Sequence, residues 1–273
     1  MDNITVITGG AGGMGLATAR IIGREHSVLI CDVKPQALDA AVATLRADGI
    51  RCEAAVCDIT DRQSVRTLMQ HAMRMGRLRS VIHTAGLSPQ MADPEIILRV
   101  NALGTVHITE TCLEHASDGF ALVNVASMAA YMMPSLLLPS RAYPLALRDV
   151  PAFMRRTLLP ARLMPTTLYR RGMAYGISKH FVIWLSQYYA GPFGARNARV
   201  LSVSPGSFDT SMGRIEEKSG SAAMLRSAAL KRFGRPDEIA ELLTFCAGDK
   251  ASYLTGTDIL CDGGVIAGRR HAR

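Results

Sequence analysis

The sequence has little of what marks extracellular, metal-binding or membrane proteins. Its six cysteines form no Cys-x-x-Cys pair and have no histidine partners at metal-ligand spacing, so neither a zinc site nor a disulfide framework is predicted. No apolar run approaches the roughly 20 residues that a membrane span needs, and the chain starts in a strand-like segment without a basic leader. We therefore expect a cytoplasmic protein with reduced cysteines, without a metal and without membrane contact.

Acidic residues are also in short supply, but the resulting excess of positive charge is confined to two segments. The formal net charge is +8. Residues 128–174 hold seven arginines and one aspartate, and residues 269–273 hold three arginines. The rest of the chain is therefore close to neutral, whereas a nucleic-acid-binding protein presents a basic face to the phosphates. We expect no nucleic-acid partner.

Length and apolar periodicity predict one α/β domain. A chain of 273 residues that is 48% hydrophobic suits a single large domain. Short runs rich in β-branched residues alternate with helix-periodic stretches, which is typical of βαβ units and a parallel sheet. The predicted strands are 3–8, 27–32, 51–56, 79–84, 119–126, 198–204 and 257–261.

A glycine-rich turn follows the first predicted strand. It reads Thr8-Gly9-Gly10-Ala11-Gly12-Gly13-Met14-Gly15 and leads into a helical segment. Glycines permit a positive φ and let the backbone approach a pyrophosphate, which the N–H groups at a helix start then bind. Such a run could form only a tight turn, but its position between a strand and a helix favours a dinucleotide site.

Asp32 ends the second predicted strand, seventeen residues after Gly15. A carboxylate here can accept hydrogen bonds from the adenosine ribose and repels a 2′-phosphate, so NAD is favoured over NADP. Lys34 complicates this preference, because its ammonium could neutralise a 2′-phosphate. Asp58 follows the third strand, where its carboxylate could either accept from the adenine amino group or cap a loop.

Tyr175 and Lys179 lie four residues apart in a predicted helix, which places them one above the other on one face. A free tyrosine, with a pKa of about 10, is a poor base, but a nearby ammonium and an oxidised nicotinamide favour its phenolate. Because only five lysines stand against 26 arginines, coincidence is a modest risk. Ser127 ends the fifth strand and could either cap a turn or hydrogen-bond the reacting oxygen.

These residues, in their order and spacing, resemble the short-chain dehydrogenase/reductase family over nearly the whole chain. The resemblance implies a Rossmann-like doubly wound sheet of seven parallel strands in a single domain. It also implies assembly as a homodimer or homotetramer through the helix that begins near Tyr175. The motifs that carry it are Thr8-Gly9-x-x-x-Gly13-x-Gly15, Asp32, Asp58-Ile59, Ala85-Gly86, Val100-Asn101-Ala102-x-Gly104, Ser127, Tyr175-x-x-x-Lys179, and Pro205-Gly206 with Thr210.

The resemblance implies a role for each matching residue: the pyrophosphate would be lined by Gly9, Gly13 and Gly15, the adenine by Asp58 and Ile59, the nearby ribose by Ala85 and Gly86, and the nicotinamide carboxamide by Phe208 and Thr210. Asn101 would hold a water that relays the proton from Lys179 to solvent. Two departures affect expected contacts, since the family commonly has Asn-Asn where this chain has His83-Thr84, and an aliphatic residue at Phe208. The catalytic residues would be Asn101, Ser127, Tyr175 and Lys179, and the cofactor-binding residues Gly9, Gly12, Gly13, Met14, Gly15, Asp32, Asp58, Ile59, Ala85, Gly86, Tyr175, Lys179, Pro205, Gly206, Phe208 and Thr210.

Residues 128–174 separate Ser127 from Tyr175 by some three dozen more residues than the family usually has. Asp149 is predicted to cap a helix with the apolar face Val150, Phe153, Met154 and Leu158, which Pro160 ends. The insertion could be a lid over an apolar substrate, an oligomer contact or its blocker, a docking surface for an anionic membrane or acyl carrier, or surface decoration. Residues 209–230 are predicted to form a second, mobile substrate segment.

Together these features predict an NAD(H)-dependent oxidoreductase that interconverts a secondary alcohol and a ketone. The expected substrate is a sizeable apolar molecule, hydroxysteroid-like or 3-oxoacyl-like. The alternative is a catalytically silent scaffold or sensor that binds a dinucleotide. Such a module would have no need of Asn101, Ser127, Tyr175 and Lys179 together, which favours the enzyme.

Overall fold

The computed structural model describes residues 2–210, 212–214 and 225–271, and these form one domain around a seven-stranded sheet. All neighbouring strands are parallel, in the order β3-β2-β1-β4-β5-β6-β7. This confirms the predicted Rossmann-like doubly wound fold, and each predicted strand overlaps an observed one. The strands are β1 (Asn3–Thr8), β2 (Ser27–Asp32), β3 (Cys52–Val56), β4 (Arg77–His83), β5 (Ala121–Val125), β6 (Arg199–Pro205) and β7 (Asp258–Cys261).

Helices flank the sheet on both faces. They are α1 (Gly13–Ile22), α2 (Pro35–Ala47), α3 (Arg62–Met75), α4 (Pro94–Leu98), α5 (Gly104–His115), α6 (Val150–Arg162), α7 (Thr167–Tyr188), α8 (Ala190–Gly194), α9 (Pro236–Ala247) and α10 (Val265–His271). One core lies under α3, α5 and α7, and the other under α1, α2 and α9. Because parallel strands end at one edge, the loops after β1, β2, β4, β5 and β6 meet there.

The inserted segment is part of the folded core. It forms three short 3₁₀ helices (Met128–Met132, Ser135–Leu137 and Ser140–Leu147) followed by α6. Tyr143 and Phe153 are fully buried, and their rings lie 5.3 Å and 5.2 Å from the ring of Phe181 on α7. Arg171 also forms an ion pair with Asp93 ahead of α4, at 2.6 Å. Residues 139–162 therefore pack as an additional layer over α7.

Most of the predicted helix in this segment is confirmed, but its end is not. Asp149 Oδ1 accepts a hydrogen bond from Ala152 N at 2.9 Å, and Phe153, Met154 and Leu158 are buried. The prediction that Pro160 ends the helix is wrong, because α6 continues to Arg162. A proline in the last turn removes only one backbone hydrogen bond, and the C=O of the exposed Arg156 that loses it can bind water.

The expectation that the next helix begins near Tyr175 is also wrong. Helix α7 begins at Thr167, after Thr166 Oγ1 accepts a hydrogen bond from Tyr169 N at 3.3 Å. Tyr175 consequently lies two turns inside a helix of 22 residues. Half of the predicted substrate segment 209–230, namely residues 211 and 215–224, lies outside the described residues.

If the inserted layer belongs to the core, truncating its buried ring should destabilise the whole protein. Phe153→Ala is expected to lower the free energy of unfolding by about 3–5 kcal/mol, because it leaves a cavity beside Phe181. Leu159→Ala is the matched control on the same helix, since Leu159 is 55% exposed, and it should change stability by less than about 0.5 kcal/mol. Urea unfolding measures both. Equal, small effects would show that α6 unfolds separately from the domain.

Candidate active site

The glycine-rich turn is closed by backbone contacts that only glycine allows. Gly9 has φ +66° and lies against Ala85, whose N would be 2.9 Å from an added Cβ. A Cβ on Gly15 would lie 2.4 Å from the carbonyl oxygen of Gly9. Gly12, in contrast, has extended backbone and open space beside it. The turn is thus a tight cradle with an open outer side at the start of α1, which fits a pyrophosphate.

Two of the other predicted cofactor residues adjoin this turn. Thr210 is buried, and its Cβ would be 3.7 Å from a Cβ on Gly13. Met14 packs its side chain on the core below α1, so a cofactor contact at this position falls to the backbone. The structure therefore brings Thr210 to the glycine cradle, and its contact with a cofactor stays a prediction.

Asp32 ends β2 beside the cradle. Its Oδ1 accepts hydrogen bonds from the backbone N of Val33 at 2.8 Å and of Lys34 at 3.3 Å. The carbonyl of Cys31 accepts a hydrogen bond from Gly10 N at 3.1 Å, which joins the end of β2 to the turn. The carboxylate is thereby oriented at the sheet edge where an adenosine ribose would lie.

The third strand leads into Asp58 and Ile59. Asp58 Oδ1 accepts from Thr60 N and Thr60 Oγ1, both at 2.8 Å, so the side chain forms the loop cap that the sequence left as the alternative. Ile59 is buried against Gly104, where a Cβ would lie 2.7 Å from Ile59 Cδ1. Both residues lie at the carboxyl end of the sheet, and their adenine contacts stay a prediction.

The fourth strand ends with residues that depart from the family pattern, and they form hydrogen bonds of their own. Thr84 Oγ1 donates to the carbonyl of Thr8 at 2.7 Å, and Ala85 N donates to Thr8 Oγ1 at 3.2 Å. His83 is 2% exposed and contacts Thr8 Oγ1 at 2.7 Å and Thr105 Oγ1 at 3.1 Å. The substitution of His83 and Thr84 was visible in the sequence, but this hydrogen-bond network was not predicted. The available signal was a histidine at the end of an apolar strand.

Tyr175 and Lys179 lie on α7 as predicted. Lys179 Nζ is 5.9 Å from the centre of the Tyr175 ring and donates to the carbonyl of Val125 at 2.9 Å. The lysine side chain is almost wholly buried, whereas Tyr175 is half-buried. The end of β5 therefore orients the buried ammonium next to the phenol.

Ser127 follows β5 at the same edge. Its Oγ accepts a hydrogen bond from Ala129 N at 3.2 Å and caps the first 3₁₀ helix. This contact uses an acceptor lone pair, so the hydroxyl proton can still be donated to a reacting oxygen. The turn-capping and catalytic interpretations of Ser127 are thus compatible.

Asn101 lies in a π-helical stretch, Arg99–Leu103, that precedes α5. Its Oδ1 accepts from Leu87 N at 2.8 Å, and its Nδ2 donates to Leu87 O at 2.9 Å and to Ser178 Oγ at 3.2 Å. A Cβ on Gly86 would lie 3.1 Å from Asn101 Oδ1 and 3.4 Å from Lys179 Nζ, so the three residues adjoin. Such π-helical turns occur often at functional sites.

Ser178 is a residue of this site that sequence reasoning missed. Its hydroxyl donates to the carbonyl of Tyr175 at 2.7 Å and accepts the amide of Asn101. It therefore connects the π-helical stretch with α7 between Tyr175 and Lys179. A serine directly before the predicted lysine was the only signal for it in the sequence.

The loop after β6 supplies the last predicted cofactor residues. Pro205 ends the strand, and Gly206 N donates to Cys261 O at 2.8 Å. The ring of Phe208 is buried against Gly234, where an added Cβ would lie 2.4 Å from it. A nicotinamide contact at Phe208 would accordingly use its backbone.

Metal and membrane features are missing from the part of the chain described. No three His, Cys, Asp or Glu side chains lie close enough together there to hold a metal ion. None of the described helices combines the length and apolar character that crossing a bilayer requires. All six cysteines are free, and five are buried.

The comparisons with known proteins identify the family. Residues 3–139 match the family model described as short chain dehydrogenase, and residues 164–266 match the one described as enoyl-(acyl carrier protein) reductase. The chain belongs to the short-chain dehydrogenase/reductase family. It is an oxidoreductase of a family that uses nicotinamide dinucleotides on alcohol- or ketone-type substrates. Neither match covers residues 140–163, which lie within the inserted segment.

Relatives in this family align over almost the whole chain. A short-chain dehydrogenase/reductase of Alternaria brassicicola is 31% identical over 279 residues, covering 98% of this chain and 97% of the relative. A 3-oxoacyl-[acyl-carrier-protein] reductase of Thermotoga maritima is 26% identical, with 96% and 97% covered. A cis-4-hydroxycyclohexanecarboxylate dehydrogenase of Sinomonas cyclohexanicum is 28% identical, with 97% of each covered.

Solved structures share the fold at lower identity. Actinorhodin polyketide ketoreductase with NADPH superposes with a TM-score of 0.76 at 19% identity, covering 97% of each chain. A Burkholderia cenocepacia short chain dehydrogenase in complex with NADP superposes with a TM-score of 0.75 at 24% identity, covering 96% of each chain.

Proposed function

We propose that this protein is an NAD(H)-dependent oxidoreductase that interconverts a secondary alcohol and a ketone. The observation that carries the proposal is the placement of Lys179 Nζ beside the Tyr175 ring, at the same sheet edge as the glycine cradle and Ser127. When bound, a nicotinamide would supply or accept the hydride. The protein must then orient the substrate oxygen and move one proton.

Four residues of the site share these two tasks. In the oxidation, Tyr175 as phenolate takes the hydroxyl proton of the alcohol, and Ser127 donates a hydrogen bond to the same oxygen. Lys179 stabilises the phenolate through its charge, and its hydrogen bond to Val125 O keeps the ammonium in place. Asn101 and Lys179 both adjoin Gly86. Asn101 therefore lies where a proton relayed from Lys179 would leave for solvent. Reduction follows the same steps in reverse.

NAD is the cofactor that Asp32 favours. Its carboxylate is oriented by two backbone N–H groups and would repel a 2′-phosphate. The backbone amide of Lys34 donates one of these hydrogen bonds, so Lys34 is part of the turn that orients the Asp32 carboxylate. The solved structures of actinorhodin ketoreductase and the Burkholderia enzyme are complexes with NADPH and NADP. The choice between NAD and NADP therefore needs a direct test in this protein.

Asp32→Asn removes the charge and keeps the shape. The variant should bind NADPH more tightly and NADH more weakly, so that the affinity ratio shifts about tenfold or more towards NADPH. Asp58→Asn is the control, because the adenine edge is the same in both cofactors and the ratio should stay unchanged. Titration of the reduced cofactors by fluorescence gives both affinities. A wild type that prefers NADPH would refute the NAD assignment.

The proposed substrate is a sizeable apolar alcohol or ketone. The inserted segment starts directly after Ser127, and Met133 packs on Gly176, the neighbour of Tyr175, where an added Cβ would lie 2.5 Å from the sulfur. Flexible methionine side chains adapt to bulky apolar ligands. Two relatives are named for 3-oxoacyl-[acyl-carrier-protein] and cis-4-hydroxycyclohexanecarboxylate. We infer that residues 128–138 contribute to the substrate site, whereas residues 139–162 stiffen α7.

A further inference from the structure

A chain of hydrogen bonds between buried side chains connects the glycine cradle with the π-helical stretch. It begins at Ala85 N, which donates to Thr8 Oγ1 at 3.2 Å. Thr8 Oγ1 lies 2.7 Å from His83 Nδ1, and His83 Nε2 lies 3.1 Å from Thr105 Oγ1. Thr105 Oγ1 in turn donates to the carbonyl of Asn101 at 2.7 Å. Thr8, His83, Thr105 and Asn101 are all at most 2% exposed.

The direction of every bond in this chain follows from the groups at its two ends. Thr105 has one hydroxyl proton and gives it to Asn101 O, so it must accept from His83 Nε2–H. His83 Nδ1 is then the acceptor, and Thr8 donates to it while accepting from Ala85 N. The hydrogen bonds thus assign the Nε2–H tautomer.

The surroundings of His83 keep its ring neutral. Burial, with a smaller contribution from the nearby Lys179 ammonium, lowers the pKa of His83 to about 3. A protonated ring would have two donors and no acceptor, which would break the bond from Thr8. The single arrangement of donors and acceptors therefore holds over the whole neutral pH range.

We propose that His83 is a positioning residue that serves both halves of the site, the cofactor half through Nδ1 and the proton-transfer half through Nε2. Its Nδ1 contact orients Thr8 and thereby Ala85 beside Gly9. Its Nε2 contact orients Thr105 and thereby Asn101. The inference rests on the proposed oxidoreductase function.

The second contact matters because Asn101 has many neighbours in the site. Its side chain forms both hydrogen bonds to the backbone of Leu87 and one to Ser178, which donates to the carbonyl of Tyr175. A shift of Asn101 therefore moves the Gly86-Leu87 loop and the support of α7 at Tyr175. Displacements of about 1 Å in such a site can lower turnover by about a hundredfold.

Two amide replacements separate the contacts of His83. His83→Asn places an acceptor near the position of Nδ1 and is too short to reach Thr105. His83→Gln places a donor near the position of Nε2 and gives up the Thr8 contact. We expect His83→Asn to keep NADH affinity and to lower kcat about tenfold or more, whereas His83→Gln should keep kcat and weaken NADH binding about tenfold. A purely structural role would lower both parameters together in both variants.

The measurements do not all depend on a known substrate. NADH affinity is measured by fluorescence, and kcat on the ketone that the wild type reduces fastest in a panel of cyclic and acyclic ketones. Hydrogen exchange of the Leu87 amide reports the position of Asn101, because this amide donates a hydrogen bond to Asn101 Oδ1. Its protection should fall in His83→Asn and Thr105→Val and persist in His83→Gln. This readout stands even if the wild type turns over no ketone, an outcome that would count against the proposed function alone.

The matched control is Thr5→Val. Thr5 lies on β1 like Thr8, is equally buried, and contacts a histidine Nδ1 at the same 2.7 Å, but that histidine is His26 at the opposite edge of the sheet. Thr5→Val should leave NADH affinity, kcat and Leu87 exchange unchanged. If the His83 variants do not fold, Thr105→Val carries the test. An active enzyme in which Thr105→Val keeps wild-type kcat and Leu87 protection would overturn the inference.

Discussion

Replacing Tyr175 with phenylalanine is expected to lower kcat about 10²- to 10⁴-fold, because it removes the hydroxyl that we propose exchanges the substrate proton while keeping the ring. The ring packing next to Lys179 Nζ should survive, since the ammonium is bonded to Val125 O. NADH affinity should fall much less than kcat, because the variant keeps the other residues expected to bind the cofactor. Steady-state kinetics on the best ketone of the panel, together with a fluorescence titration of NADH, measures the two quantities.

Tyr169→Phe is the matched control for this experiment. Tyr169 is on the same helix, two turns before Tyr175, and is 62% exposed, so its replacement should leave kcat and affinity unchanged. Unaltered turnover in Tyr175→Phe would refute the assigned role. A wild type that binds NADH but reduces no ketone and oxidises no alcohol would instead favour the dinucleotide-binding scaffold.

Acid should destabilise the protein through His83. Its pKa is about 3 in the folded state, against 6.5 as the ordinary value. Between these values the unfolded chain binds a proton that the native state excludes, so stability falls as pH drops from 6.5 towards 3. The slope is about 1.4 kcal/mol per pH unit, which amounts to roughly 3 kcal/mol over the two units below 6.5.

The variant His83→Gln isolates this contribution, because the other ionisable groups keep their effect in both proteins. Urea unfolding at several pH values between 7.5 and 4.5 should give curves that converge as pH falls, with the wild type losing more stability. The curves of wild type and His26→Gln should also converge as pH falls, but by a smaller free energy. Burial lowers the pKa of His26 too, but its ring is only half-buried. Parallel pH curves for wild type and His83→Gln would contradict the assignment.

The sheet and the positions of the candidate site residues at its edge could be predicted from sequence because their signals are local. Strand ends such as Thr8, Asp32 and Ser127 follow apolar runs, and parallel topology then places them at one edge. The proximity of Tyr175 and Lys179 could be predicted from the helical repeat alone, because residues four apart lie on the same face. The glycine cradle could be predicted because five of the seven residues from Gly9 to Gly15 are glycine.

The remainder depends on contacts between distant parts of the chain. His83 meets Thr8 and Thr105, residues 75 and 22 positions away, and no local pattern announces either partner. The end of α6 was misplaced because packing of the buried Ala161 outweighed the single hydrogen bond lost at Pro160. The sequence left the role of the insertion open, whereas aromatic packing of Tyr143 and Phe153 on Phe181 makes it part of the core.

The early start of α7 has a consequence for how Tyr175, the proposed proton acceptor, is stabilised. The partial positive charge at a helix N-terminus acts on anions only within the first turn. Since α7 begins at Thr167, Tyr175 lies beyond the reach of this macrodipole. The side-chain charge of Lys179, placed by the carbonyl of Val125, must therefore supply the electrostatic support that a shorter helix would share with its backbone.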